Sequence, residues 1–226
     1  AYQNHGRDTT GAAQPHHSMV PVAWHNSTWT ADRAISWIQD REDDSAPFCA
    51  WVSFPDPHHP FNPPGKYWDM YSPDDFEVSL PFEAHRNPTP PMRFLYDNWK
   101  NKGEQMTAQT AMMLDNQQVK EVMALSAGMM AFIDDAVGEI MQTLQETGAH
   151  EDTVVVYNSD HGDYLGDYNM ILKGALPFES ITRVPFIWSD PQQRAPRVSS
   201  AMASTVDIGA TILERAGLKP FNGNQG

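Results

Sequence analysis

Basic side chains and cysteine are both scarce in this sequence of 226 residues. The 15 Lys and Arg residues stand against 29 Asp and Glu residues, which gives a net charge of −14 at pH 7. Because nucleic acids and anionic membrane surfaces attract basic proteins, this balance argues against either of them as a partner. It is compatible with a site whose acidic side chains are partly neutralised by a bound cation.

The one cysteine, Cys49, excludes an internal disulfide and leaves the cellular compartment undecided. No apolar run approaches the roughly 20 residues that a membrane-spanning helix requires. The first residue is Ala1 rather than Met, and no secretory signal peptide is recognisable. We therefore expect the sequence to be part of a longer protein, whose preceding residues would contain any targeting signal.

Three apolar segments have the length and composition of strands: residues 48–54, 153–158 and 184–188. Continuous apolar runs are typical of strands that are covered on both faces, as in a parallel sheet. Cys49 lies within the first segment and is predicted to be a small, buried core residue.

Helical patterns alternate with these strands. Apolar residues recur at three- and four-residue steps across residues 115–147 and 206–216, and a shorter amphipathic pattern runs from Thr30 to about Asp40. The alternation predicts an α/β fold with a mainly parallel central sheet flanked by helices, in a single domain over residues 1–226.

The segment 153–158 runs directly into Asp160, His161 and Gly162. Open α/β sheets place their ligand sites where strands end. An Asp oxygen and a neutral His nitrogen can together hold a divalent cation, whereas the same three residue types also favour a plain tight turn. These residues alone leave both interpretations open.

Further charged residues follow the cluster and favour the metal interpretation. Asp163 and Asp167 add carboxylates to the loop, and Lys173 precedes Gly174. A lysine beside a metal can neutralise the oxygens of a tetrahedral oxyanion without being deprotonated. A solvated surface charge is the simpler alternative for Lys173.

A second candidate loop follows the segment 48–54. His58 and His59 lie in a proline-rich stretch that can aim an imidazole, the side chain best suited to proton transfer near neutral pH. Two surface histidines are the alternative. The aromatic-rich residues 66–104 predict a long ordered loop of the kind that shapes a substrate pocket.

Several stretches of the sequence resemble the sulfatase family of the alkaline phosphatase superfamily. The most extensive is residues 159–167, Ser-Asp-His-Gly-Asp-Tyr-Leu-Gly-Asp, followed by Lys173-Gly174 and residues 178–185. Residues 29–35, the Pro-His-His-Pro-Phe loop at 57–61 and residues 206–218 agree in the same order. The resemblance spans nearly the whole chain and implies the fold and the hydrolase chemistry of that family.

The resemblance also implies roles for particular residues. Asp160 and His161 correspond to metal ligands, and Lys173 corresponds to a contact with the sulfate or phosphate oxygens. His58 corresponds to a residue that hydrogen-bonds the leaving-group oxygen, and His59 occupies the variable position of that loop. The metal implied is calcium, with manganese or magnesium as alternatives.

The sequence departs from the family in one respect that bears on activity. Sulfatases convert the Cys or Ser of Cys/Ser-x-Pro-x-Arg to formylglycine, their nucleophile, and that motif is absent here, since Cys49 is followed by Ala-Trp-Val. We expect the formylglycine segment and half of the metal site to precede Ala1. The 226 residues would then be the middle and later part of the domain, inactive in isolation and without the C-terminal subdomain.

Three functions remain open from the sequence. The first is hydrolysis of a small-molecule or carbohydrate sulfate ester by the full-length protein. The second is hydrolysis of a phosphonate or phosphate ester on the same scaffold. The third is a truncated, non-catalytic protein that binds only a metal or a partner.

Overall fold

The computed structural model describes residues 17–41, 46–102 and 112–226. Its helices are α1 (Asn26–Gln39), α2 (Pro90–Lys102), α3 (Asn116–Glu146), α4 (Glu179–Thr182) and α5 (Asp207–Arg215). Its strands are β1 (Met112–Met113), β2 (Val155–Asn158), β3 (Met170–Ile171) and β4 (Phe186–Ser189). None of these helices is both long enough and apolar enough to cross a bilayer.

The longest element is α3, whose 31 residues confirm the helix predicted over 115–147. Asp115 caps its start, because the Asp115 carboxylate accepts a hydrogen bond from the Gln118 amide while the Gln118 side chain accepts one from the Asp115 amide. Gly148, at a φ of 76°, follows its last turn. The helix buries one apolar face and packs against α1.

The two shorter predicted helices differ from the structure mainly at their ends. α5 confirms the pattern at 206–216. α1 begins at Asn26, before the predicted start at Thr30, because the His25 side chain accepts a hydrogen bond from the Ser27 amide and caps the helix. Sequence preference for Ser, Thr, Asp or Asn at such positions gives no hint of a histidine cap.

The strands pair differently from the prediction of a mainly parallel sheet. The described residues contain two two-stranded sheets, β1 with β3 and β2 with β4, and both pairs are antiparallel. Apolar composition identifies a strand but not the direction of its partner. The chain reverses between β2 and β4, so that Asn158 lies opposite Phe186.

The segment 48–54 was predicted as a buried strand, and the structure contradicts this. It is not paired with any strand in the described ranges, and Trp51 is 84% exposed. Cys49 is likewise exposed rather than a core residue. An apolar run becomes a strand only where neighbouring strands satisfy its backbone, and none lies beside this one among the described residues.

The prediction of a continuous loop over 66–104 is wrong where α2 forms. Pro90 stands at the first position of this helix, where its missing amide hydrogen costs nothing, and the side chain of Met92, in the first turn, is buried. The remaining described part consists of turns, irregular backbone and three single-turn 3₁₀ helices, Gly65–Tyr67, Pro73–Asp75 and Phe82–Ala84. Residues 103 and 104 lie outside the described ranges.

Two buried clusters hold the fold together and meet at the segment 163–172. Residues Ile171 and Leu172 belong to a cluster built on α3, whereas Tyr164 and Met170 belong to a second cluster built on α2. The segment that links the predicted metal pair to Lys173 is therefore anchored in both cores.

Candidate active site

The Asp160–His161 pair lies just beyond the end of β2, as the sequence predicts. The Ser159 hydroxyl donates a 2.8 Å hydrogen bond to the His161 carbonyl, and the His161 amide donates a 2.9 Å bond to the Asp160 carboxylate. These local bonds fix the turn. The Asp160 side chain is 83% exposed, so its oxygens face outward and are accessible to a ligand.

The hydrogen bonds of His161 indicate the tautomer of its neutral ring. Its Nδ1 lies 2.8 Å from the carbonyl oxygen of Gly162, and since a carbonyl oxygen only accepts, Nδ1 carries the proton. In the neutral ring Nε2 then holds a lone pair. This atom lies 3.4 Å from Asp160 Oδ2 and 3.0 Å from the Nζ of Lys173. A carboxylate oxygen, an imidazole lone pair and an ammonium group therefore meet at one point.

Gly162 brings the loop against α4. Its amide donates a 2.9 Å hydrogen bond to the Ile181 carbonyl, and a Cβ at this position would overlap the backbone oxygen of Ser180. No side chain fits here without moving the backbone of one of the two segments. Glycine thus allows the close approach that fixes the site loop.

Asp163 lies behind the pair, and its carboxylate points into the protein. Its Oδ1 accepts hydrogen bonds from the amides of Leu165, at 2.9 Å, and Leu172, at 2.8 Å. Burial raises the pKa of Asp163 to about 6, an effect that the two amide hydrogen bonds and the nearby positive charge of Lys173 partly offset. The sequence shows Asp163 only as one more carboxylate in an acidic loop.

His58 and His59 lie together in the loop after residue 54. Their rings stack with centroids 4.0 Å apart, and Nδ1 of His58 lies 2.7 Å from the carbonyl oxygen of His59. His58 is exposed. Among the described residues it forms no hydrogen bond or ion pair with Asp160, His161 or Lys173, so the convergence of the two loops stays a prediction.

A buried polar contact that the sequence does not reveal anchors the His58 loop. Ser27 Oγ donates a 2.6 Å hydrogen bond to Asp56 Oδ2, and His25 Nδ1 lies 3.6 Å from the same oxygen. Burial lowers the pKa of His25, and the Asp56 carboxylate offsets part of that effect. His25 and Ser27 are neighbours at the start of α1, but Asp56 lies 29 residues after Ser27, so only the fold brings the carboxylate to them.

The ligand atoms at the end of β2 are of types that bind divalent cations. Asp160 offers hard oxygens, and His161 Nε2 offers the neutral nitrogen that metals prefer. The pair supplies only part of a coordination shell. Across residues 17–41, 46–102 and 112–226 there is no group of three or more His, Cys, Asp or Glu side chains arranged to hold a metal.

Comparison with known proteins gives a family match over most of the chain. The model of the Sulfatase family matches residues 3–218. The arylsulfatase of Clostridium perfringens is 30% identical over 196 residues, which are 85% of this chain and 38% of that protein. The multifunctional alkaline phosphatase superfamily protein PehA of Trinickia caryophylli is 28% identical over 94% of this chain and 42% of its own length.

Solved structures agree with this match. The phosphonate monoester hydrolase of Agrobacterium radiobacter superposes with a TM-score of 0.73 at 26% identity, covering 94% of this chain and 43% of that one. The phosphonate monoester hydrolase of Silicibacter pomeroyi also gives a TM-score of 0.73, at 20% identity, and bears on the fold alone. The chain thus spans less than half the length of each of these four proteins.

Proposed function

The chain belongs to the sulfatase family, and we propose that it carries part of the active site of a metal-dependent hydrolase of sulfate esters. The observation that supports this most is the meeting of Asp160, His161 and Lys173, with Lys173 Nζ 3.0 Å from His161 Nε2. A sulfate ester is a small, anionic, tetrahedral group. A site that combines metal-binding donors with a fixed ammonium matches its charge.

We assign Asp160 and His161 as ligands of the metal, which we propose to be calcium, with manganese and magnesium as alternatives. When bound, such a cation supplies Lewis acidity toward an oxygen of the sulfate group. The Gly162 carbonyl holds the His161 proton on Nδ1 and so keeps Nε2 available as a ligand. Further ligands complete the shell in the full-length protein.

The roles of the other residues follow from their charge and position. The Lys173 ammonium contacts the non-bridging oxygens of the sulfate group and stabilises their negative charge during transfer. His58 hydrogen-bonds the leaving-group oxygen and supports its departure as an alcohol. His59, stacked on His58, is the second candidate for this role.

We place the nucleophile outside these residues. The 226-residue sequence contains no Cys/Ser-x-Pro-x-Arg from which a formylglycine is formed. We therefore propose that the chain is a partial catalytic domain of α/β architecture and that, expressed alone, it releases no sulfate. Rapid turnover by the isolated chain would contradict this proposal.

A phosphonate or phosphate ester hydrolase is the second candidate. It is supported by the TM-score of 0.73 to the Agrobacterium radiobacter phosphonate monoester hydrolase. A phosphonate monoester is also an anionic tetrahedral group, so Lys173 and the metal donors suit both substrates.

Initial rates of the full-length protein on an aryl sulfate and a matched aryl phosphonate monoester separate the two candidates. We expect the larger kcat/KM on the sulfate, with both activities lost on chelation and restored by calcium. Lys173→Ala is expected to lower kcat/KM about 100-fold or more. No activity on either ester would favour the non-catalytic alternative, and a larger value on the phosphonate would favour the second candidate.

A further inference from the structure

The loop between the metal pair and Lys173 is closed by backbone hydrogen bonds and by one side-chain atom. The amides of Tyr164 and Gly166 donate to the carbonyls of Leu172 and Met170, at 2.8 and 2.7 Å. Oδ1 of Asp163 accepts the amide hydrogens of both Leu165 and Leu172, at 2.9 and 2.8 Å. These residues stand near the two ends of the loop. A single carboxylate oxygen therefore adds two of the hydrogen bonds that close the loop.

Both of these leucines have left-handed backbone, with φ of 41° at Leu165 and 68° at Leu172. Such a conformation is costly for a residue with a branched side chain and persists only where surrounding contacts enforce it. At Leu172 the side chain is 1% exposed, and its carbonyl accepts a 2.8 Å hydrogen bond from the Tyr164 amide. The Asp163 carboxylate adds a further constraint on Leu172, because it accepts the hydrogen bond of the Leu172 amide.

Leu172 immediately precedes Lys173, so its backbone sets the point from which the lysine side chain starts. The Lys173 ammonium reaches Nε2 of His161 at 3.0 Å. A lysine has many rotamers, and an unanchored backbone would spread its ammonium over a wide volume. The constraint at Leu172 thus restricts where the charge can lie.

We propose that Asp163 is a positioning residue, which closes the 163–172 loop through Oδ1 and thereby holds the Lys173 ammonium beside His161. The inference deepens the proposed function, on which its relevance to an anionic substrate rests. Asp163 itself touches neither the metal donors nor the substrate in this scheme. A purely structural role, in which Asp163 only stabilises the fold, is the competing explanation.

Three variants of the full-length protein distinguish these explanations. Asp163→Asn keeps a carbonyl oxygen that can accept both amides, whereas Asp163→Ala removes it. Asp167→Ala is the matched control, because the Asp167 carboxylate has no hydrogen-bond partner in the described part of the chain. Asp163→Ser, whose short side chain cannot reach both amides, replaces the alanine variant if that fails to fold.

The first readout needs neither metal nor turnover. In the metal-free protein, the ¹⁵N resonance of His161 Nε2 reports its hydrogen bond to Lys173. We expect Asp163→Ala to shift this resonance in the same direction as Lys173→Ala, and Asp163→Asn and Asp167→Ala to leave it in place. An unshifted resonance in Asp163→Ala, or an equal shift in Asp163→Asn, would overturn the proposal.

The second readout is a double-mutant cycle on the affinity for inorganic sulfate, measured by calorimetry. Asp163→Ala is expected to weaken binding about tenfold when Lys173 is present and to have no effect in the Lys173→Ala background. Equal losses in both backgrounds would overturn the positioning role. A full-length protein that hydrolyses neither ester, but whose His161 Nε2 resonance shifts in Asp163→Ala as expected, would refute the proposed function. The positioning of Lys173 by Asp163 would still hold.

Discussion

The hydroxyl of Ser27 donates a 2.6 Å hydrogen bond to the carboxylate of Asp56, which joins the first turn of α1 to the loop that carries His58. The Ser27 residue is fully buried, and the Asp56 side chain is 11% exposed. A buried carboxylate that loses a hydrogen-bond donor keeps its desolvation cost without compensation. The contact therefore sets both the stability and the position of this loop.

Replacement of Ser27 by alanine is expected to lower the free energy of unfolding by about 2 kcal/mol. Urea denaturation of the full-length protein measures the loss. Ser36→Ala in the same helix is the control, because the Ser36 hydroxyl has no partner among the described residues, and its effect should stay below about 0.5 kcal/mol. Equal losses for the two serines would contradict a specific contribution from the Asp56 contact.

A second prediction concerns acid stability and the pair Asp190–Arg215. Arg215 donates two hydrogen bonds to Asp190, at 2.6 and 3.0 Å, and these lower the pKa of Asp190 to about 2. An unfolded Asp titrates near about 4. The folded state thus favours the charged form of Asp190 more than the unfolded state does. The stabilisation that this pair contributes is complete above the unfolded pKa of about 4 and is lost as the pH falls toward 2.

The test compares the wild-type protein with Asp190→Asn, which keeps the side-chain shape. The difference in Tm should be largest at neutral pH and shrink between pH 4 and pH 2. Asp74→Asn, at an exposed carboxylate without such a partner among the described residues, should show no such trend. A difference between wild type and Asp190→Asn that stays constant with pH would exclude this ion pair as its source.

A third prediction concerns His58 and the leaving group. If His58 supports departure of the alcohol, its replacement by alanine should lower kcat about 100-fold on an alkyl sulfate, whose leaving group is basic. The loss should be much smaller on a nitrophenyl sulfate, whose leaving group departs without a proton. His59→Ala is the matched control and should affect both esters equally; the reverse pattern would assign the role to His59.

The fourth prediction contrasts two glycines. Gly162→Ala places a methyl group onto the Ser180 backbone and should lower the free energy of unfolding by about 3 kcal/mol. Gly138→Ala, on the exposed side of α3 with no atom within 4 Å of the added group, should raise it by about 0.5–1 kcal/mol. Chemical denaturation of both variants checks the opposite signs. If Gly162→Ala left the free energy of unfolding unchanged, the loop and α4 could move apart at little cost, which would contradict the prediction.

The sequence predicts those parts of the fold and of the candidate site that depend on local pattern. The apolar period of α3 and the run of β-branched residues before Asp160 are local signals, and the resemblance to a family followed from the residues at 159–167. Lys173 was identified in the same way, and the structure places it against His161.

What the sequence did not predict depends on contacts between distant segments. The antiparallel pairing of β2 with β4 is set by the path of the chain between them, and the exposure of residues 48–54 is set by which strands lie alongside. The proposed role of Asp163 depends on the left-handed backbone of Leu165 and Leu172. Leucine rarely adopts this conformation, so the sequence does not predict it.

Gly162 also determines how this site can vary. Because its missing side chain is the space that Ser180 occupies, a library of random codons across the loop should return glycine almost alone at this position after selection for folding. Diversity at the two neighbours is limited as well, because His161 is a proposed metal ligand and the Asp163 carboxylate accepts the amides of Leu165 and Leu172. Any attempt to redesign the specificity of the site therefore has to begin elsewhere, on the loop around His58 or on the aromatic segment 66–104.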